Sequence, residues 1–243
     1  MSVQRPDPLS DAAAARAATE RLIEAVSGLD PATVTEPSLL PGWTRGHVLT
    51  HLARNADALV NLLTWARTGA ETPMYESDEA RDKDIEEGAG RPLSEQLDDL
   101  RLTAERFALA VEEMPPQAWA AQVRTRHGGV CPAAELPAKR LTEVLLHRVD
   151  LGIGYTCDDL PSGFVDRELA FVIDGLSGHE GIAAVRLQDT SSSGEWLIGA
   201  SAKPELTVSG SARQLLAWVT GRGKGEELTR KPDLPLPVLP PLG

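Results

Sequence analysis

At 243 residues, with a formal net charge of −12 and a pI near 4.9, the chain has room for one large domain or two small ones, each with its own core. Its acidity excludes DNA and RNA as partners, because binding a phosphate backbone rests on clustered Lys and Arg. No run of about 18 apolar residues is available to span a membrane, M-S-V-Q-R-P-D-P lacks the apolar core of a signal peptide, and Cys131 and Cys157 are too few to staple a chain of this size, so a cytoplasmic protein with reduced thiols is predicted.

In chain order, Ser10 is placed to cap a first helix through the alanine-rich run, with Leu22, Val26 and Leu29 as its apolar stripe and Gly28 near its end. Thr44 caps a second helix, H-V-L-T-H-L-A-R-N-A-D-A-L-V-N-L-L-T-W-A-R-T, which stops at Gly69. The stretch from Glu71 to Arg91 is dense in Asp and Glu and reads as a long loop, of the kind that forms lids. Leu93, Leu97, Leu100, Phe107, Val111 and Met114 recur at helical spacing until Pro115-Pro116 ends a third helix. V-R-T-R-H-G-G-V, from Val123 to Val130, carries a Gly-Gly turn signal for a small hairpin, with His127 exposed at its tip.

A fourth helix begins close to Pro137, which is tolerated only in the first turn, and contains R-L-T-E-V-L-L-H-R-V-D-L. Four helices with apolar stripes predict a bundle. After Gly152 the pattern changes, and a boundary near Tyr155 divides the chain into domains 1–154 and 155–243. The second domain reads as small α+β: a helix through Arg167 to Leu176, β-like runs A-A-V-R-L-Q, E-W-L-I-G and E-L-T-V-S-G, then a helix capped by Ser211 and ended by Gly221. The closing K-P-D-L-P-L-P-V-L-P-P can be neither helix nor central strand and is expected to run extended.

Glu143 and His147 stand four residues apart, hence on one helix face a turn from each other, and both could grip one ion. A third ligand from the second helix, His51, would make a three-ligand site with an open position, which is the ligand count of a catalytic zinc rather than a structural one, and the neighbouring His47 could replace His51 or join it. Glu143 and His147, with Arg140 and Asp150, also form the polar stripe of an ordinary solvated helix face. Spacing alone leaves both readings open.

Four stretches resemble the mycothiol-dependent maleylpyruvate isomerases, whose N-terminal part is a DinB-like four-helix bundle: G-W-T-R-G-H-V-L-T-H (Gly42 to His51), N-L-L-T-W-A-R-T-G-A-E-T-P-M-Y (Asn61 to Tyr75), R-L-T-E-V-L-L-H-R-V-D-L-G (Arg140 to Gly152), and V-S-G-S with G-R-G (Val208 to Ser211, Gly221 to Gly223). The resemblance implies an α+β protein in which His51, Glu143 and His147 hold zinc or another divalent metal, and Arg222 of the C-terminal domain is catalytic or orients the substrate. His47 also matches a family position, though not one of a usual ligand, and is read as packing or as supporting a ligand from behind. Arg140 and Asp150 could orient a ligand from behind or form a structural salt bridge.

The implied activity is conversion of maleylpyruvate to fumarylpyruvate, with mycothiol as thiol cofactor and a small dicarboxylate as substrate. Temporary addition of a thiolate to the cis double bond, rotation and elimination would give the trans isomer. Two other classes compete: a mycothiol S-transferase, which leaves the thiol attached to an electrophile, and a non-enzymatic metal-dependent binding domain.

Overall fold

In the computed structural model, which describes residues 7–200 and 203–240, the chain forms two units, Met1–Gly152 and Ile153–Gly243. Residues 1–6, on which the signal-peptide reading partly rests, lie outside the described residues.

The first unit is built from α1 (Pro8–Ser27), α2 (Arg45–Thr68), α3 (Asp78–Ala89), α4 (Leu93–Glu112) and α5 (Leu136–Asp150), with a hairpin of β1 (Gln122–Arg124) and β2 (Val130–Pro132) between the last two helices. Helix α2 packs on α4 and α5, and α1 packs on the same two, which closes a four-helix bundle with α3 laid against α2. The long helix α2 is delimited as its sequence demands. Thr44 accepts from the His47 amide at its start, and Gly69, at φ 75°, closes its last turn with a conformation that costs glycine little. Pro137 sits in the first turn of α5, where its missing N–H costs no hydrogen bond. The α1 cap differs from expectation: Asp7 accepts from the amide of Ser10, so the helix starts at Pro8, ahead of the serine.

The acidic segment expected as a long loop contains the helix α3, capped by Ser77. Only Ile85, Gly88 and Ala89 of α3 are buried, so it carries almost no apolar stripe, and it docks through backbone proximity instead. A Cβ at Gly46 would collide with the Ala89 carbonyl oxygen, and one at Gly88 would lie 2.5 Å from Thr50 Cγ2.

The core does not depend on a cofactor. Leu49, Leu52, Leu59, Leu62 and Leu63 of α2 are all at most 2 % exposed, and burial of each leucine side chain stabilises by about 1.5–3 kcal/mol. The bundle is therefore expected to remain helical after chelation.

The second unit holds α6 (Ser162–Leu176), β3 (Val185–Asp189), β4 (Glu195–Ile198), β5 (Leu206–Gly210), α7 (Ala212–Val219) and β6 (Thr229–Lys231). Its sheet runs β4-β3-β5-β6, with β3 and β5 parallel and the outer pairs antiparallel. Val185, Leu187, Ile198 and Val208 are buried from this sheet, and Leu215, Leu216, Trp218 and Val219 from α7. Ser211 caps α7 in a reciprocal pair with Gln214. Helix α6 starts five residues before the expected Arg167, directly after Pro161. Lys231, the first residue of the closing run, ends the edge strand β6, and Pro232 to Pro240 form no helix or strand.

No helix among the described residues is long and apolar enough to cross a membrane.

Candidate metal centre

His51 projects from α2, and Glu143 and His147 from consecutive turns of α5. The two helices pack against each other and bring the three side chains together, with one ligand-capable atom from each lying within 4.8 Å of the others. Glu143 Oε2 lies 3.0 Å from His51 Nε2 and 3.2 Å from His147 Nε2, and the imidazole centroids are 4.7 Å apart with nearly perpendicular rings. Trp43 covers the rim, its ring centroid 5.6 Å from that of His51.

The α5 stripe that could have been a solvated face is turned inward at its ends, since Arg140 and Asp150 are 2 % and 1 % exposed. Arg140 Nη1 donates to the Leu52 carbonyl and to Asn55 Oδ1, both at 2.8 Å, and so ties α5 to α2 just below the cluster. Burial lowers its pKa to about 10, partly offset by the charge of Glu143, and it stays protonated at neutral pH. Asp150 Oδ2 lies 2.8 Å from His147 Nδ1, which fixes the ring and leaves Nε2 facing Glu143.

Burial alone would push the Glu143 carboxyl up, but its hydrogen bonds with His147 and His51 outweigh that, and its pKa is held well below the usual carboxylate range. Burial depresses the pKa of His51, with Glu143 opposing. Burial likewise disfavours the charged form of His147, yet Asp150 and Glu143 outweigh it and the pKa is raised. The result is an ionised carboxylate beside two imidazoles, a donor set of two nitrogens and one oxygen from two helices. It fits a divalent cation of the zinc type with a position left for a further ligand.

His47 stands apart from this cluster. Its Nδ1 accepts from the Thr44 amide at 3.1 Å and pairs with the Thr44 hydroxyl at 2.7 Å, while Nε2 reaches Glu86 at 3.1 Å. It completes the cap of α2 and contacts α3. His47→Ala is accordingly expected to leave metal content unchanged and to cost roughly 1 kcal/mol of stability, the usual value of a helix cap, as read from denaturant midpoints.

Two further groups, Tyr75 and Arg81, stand beside the cluster. Asn61 Nδ2 donates to the carbonyls of Pro73 and Met74 and holds the E-T-P-M-Y segment on α2. This places the Tyr75 ring 5.7 Å from the Arg81 guanidinium carbon, and burial pushes the Tyr75 hydroxyl above its ordinary pKa. Arg81, in the first turn of α3, reaches His51 Nδ1 with Nη2 at 3.2 Å. Nothing in the spacing of D-E-A-R-D-K-D-I-E-E-G distinguishes Arg81 from its charged neighbours.

Arg222 lies in the second unit, in the turn after α7. Its amide donates to the Ala217 carbonyl at 2.8 Å and its Nη1 to the Thr220 carbonyl at 3.1 Å. Gly221, at φ 73°, lets the chain leave the helix and set this residue beside it.

Fold and site together define a two-unit α+β protein whose helical bundle carries a His/Glu/His cluster suited to a metal. The family model for the mycothiol maleylpyruvate isomerase N-terminal domain matches residues 15–152, and that for the C-terminal domain of the same family matches residues 159–241. Two solved structures are similar over 96 % of this chain and 97 % of theirs, each with a TM-score of 0.87: the mycothiol-dependent maleylpyruvate isomerase, at 34 % identity, and a variant of it with one histidine replaced by alanine, at 33 %. No curated protein matches the chain. The chain belongs to the mycothiol maleylpyruvate isomerase family.

Proposed function

We propose that this protein is a cytoplasmic mycothiol-dependent isomerase that converts maleylpyruvate to fumarylpyruvate, with zinc held by His51, Glu143 and His147. The observation that carries the reading is the similarity to isomerase structures along 96 % of the chain, through both units rather than the widely useful helical bundle alone. The proposed domain division is a metal-binding N-terminal domain, 1–154, and a C-terminal domain, 155–243, that contributes Arg222.

Changing a cis double bond to trans requires that the bond be lost for a moment. A thiol sulfur adds to one alkene carbon, the resulting single bond rotates, and elimination of the same thiol restores the double bond. No oxidant is consumed and the thiol is returned. A divalent cation in the cluster supplies the Lewis acidity that keeps a thiol ionised near neutral pH, where a free one with a pKa of about 8.5 is largely protonated. Glu143 contributes the negative charge of the donor set, and Asp150 holds His147 with Nε2 turned toward it. Arg222 is assigned to orient the substrate, its planar fork matching a carboxylate.

The protein's own thiols are poor candidates for the nucleophile. Cys131 is buried, and burial raises its pKa, with Lys139 only partly opposing. Exchange of both Cys131 and Cys157 for serine is therefore expected to leave turnover nearly intact in a steady-state assay.

The deciding experiment incubates zinc-loaded protein with mycothiol and maleylpyruvate and follows fumarylpyruvate and free thiol together. Product formed with the thiol conserved supports the isomerase. A stable thiol adduct seen by mass spectrometry would establish a transferase instead, and thiol-independent turnover lost in the serine variants would place the nucleophile in the protein.

A further inference from the structure

The two histidines of the cluster are supported in opposite ways. His147 Nδ1 meets a carboxylate, Asp150, at 2.8 Å, the usual partner of a metal-binding imidazole. His51 turns Nε2 to Glu143 at 3.0 Å and Nδ1 to a cation, with Arg81 Nη2 at 3.2 Å. The Arg81 side chain is only 10 % exposed. Its other arm, Nη1, donates to Asp82 at 2.7 Å, and its guanidinium lies over the Tyr75 ring.

A count of donors shows what this arrangement lacks. With Nε2 of His51 serving as a metal ligand, the proton of the neutral ring resides on Nδ1, which is then a donor. Arginine has only donors to offer. Two N–H groups face each other, and a buried donor left without an acceptor bears the full loss of its hydration. Glu143 Oε2 lies on the Nε2 side of both histidines, Asp82 is engaged on the far arm of the guanidinium and largely exposed, and the Tyr75 hydroxyl is hydrogen-bonded to the guanidinium. Among the described residues none supplies an acceptor to both His51 Nδ1 and Arg81 Nη2.

We propose that Arg81 and His51 Nδ1 form a carboxylate subsite beside the metal, which receives one carboxylate of the dicarboxylate substrate. An oxygen about 2.8 Å from each nitrogen satisfies both donors, with the charge-assisted bond coming from arginine. The assignment rests on His51 being a metal ligand as set out above. It also answers an electrostatic need, since a dianion approaching a protein of net charge −12 must find local positive charge. Arg81 provides it from within the most acidic helix of the chain, where Asp78, Glu79, Asp82, Asp84, Glu86 and Glu87 would otherwise repel the substrate. The role is one of positioning and affinity, and the bond-making step belongs to the thiol.

Maleate is a suitable probe, because it carries two cis carboxylates and its binding can be measured without turnover. Zinc-loaded wild-type protein, Arg81→Gln and Arg81→Lys are titrated with maleate by calorimetry, with zinc content and circular dichroism measured on the same samples. The expected result is maleate affinity lowered about tenfold or more in Arg81→Gln and partly recovered in Arg81→Lys, which keeps the charge but not the fork, with zinc content and helicity equal to wild type. Equal maleate affinity in wild type and Arg81→Gln, or no maleate binding by wild type, would overturn the subsite. Zinc lost from a folded Arg81→Gln would also overturn it, by making Arg81 a structural support of His51. Failure of the wild type to form fumarylpyruvate would sink the isomerase reading and leave the maleate comparison intact.

Discussion

Alanine in place of His51 or Glu143 is expected to abolish stoichiometric metal binding and, with it, mycothiol-dependent turnover. Each of these residues is one of only three protein ligands in the proposed site, so its removal leaves two, with the third position open to solvent. Asp150→Asn provides the graded comparison, because Asp150 acts on the site through the orientation of His147, and loss of such a partner typically costs about 10–100-fold in metal affinity. Loss of a ligand should cost more than that. Zinc per chain after dialysis against a competing chelator reads the order directly: wild type and His47→Ala loaded, Asp150→Asn weakened, His51→Ala and Glu143→Ala empty. A loaded His51→Ala protein together with an empty His47→Ala protein would reverse the assignment of the two histidines. Helicity should persist throughout the series, because the leucines of α2 are buried with or without the ion.

Arg222→Ala should retain zinc and fold while kcat/KM falls about a hundredfold, equivalent to roughly 2.7 kcal/mol of transition-state stabilisation. Lysine should restore only part of the rate, since a point charge cannot reproduce bidentate binding. The alternative is purely structural. The guanidinium contacts the Thr220 carbonyl at the end of α7, where a cation stabilises the helix by about 0.3–1 kcal/mol. That alternative makes a different forecast: a small loss in the denaturant midpoint with turnover near normal. Measuring both quantities on one preparation separates the two roles.

The sequence exposes some parts of this protein more readily than others, for physical reasons. Thr44, Gly69, Pro137 and Ser211 mark helix ends because capping and backbone conformation are local, and all four stand where such residues belong. The i,i+4 spacing of Glu143 and His147 was equally legible. Which upstream histidine joins them was not settled by spacing, because His47 and His51 share a helix face. The distinction lies in the Thr44 cap, which occupies His47, and appears only once the chain is folded. Hydrophobic period does not reveal helix α3, because only Ile85, Gly88 and Ala89 of it are buried and close backbone approach at Gly46 and Gly88 helps to seat it. Arg81 is missed with it. The parallel pairing of β3 with β5 is a long-range choice that no local pattern encodes.

The close approach of α3 to α2 also sets what this acidic segment can tolerate. Its outward charges, such as Glu79, Lys83 and Glu87, can be exchanged freely as far as packing is concerned, since they touch little else. Its length cannot. Each inserted residue turns the following part of a helix by about 100°, so a single insertion between Arg81 and Ile85 would force a choice. Either Gly88 and Ala89 keep their seat against Thr50 and Gly46 and the guanidinium swings away from His51, or Arg81 stays and a bulkier residue is driven into the space that only glycine fits. A segment that looks like a variable linker is thus a spacer of fixed length, in which drift of charge is permitted and drift of register is not.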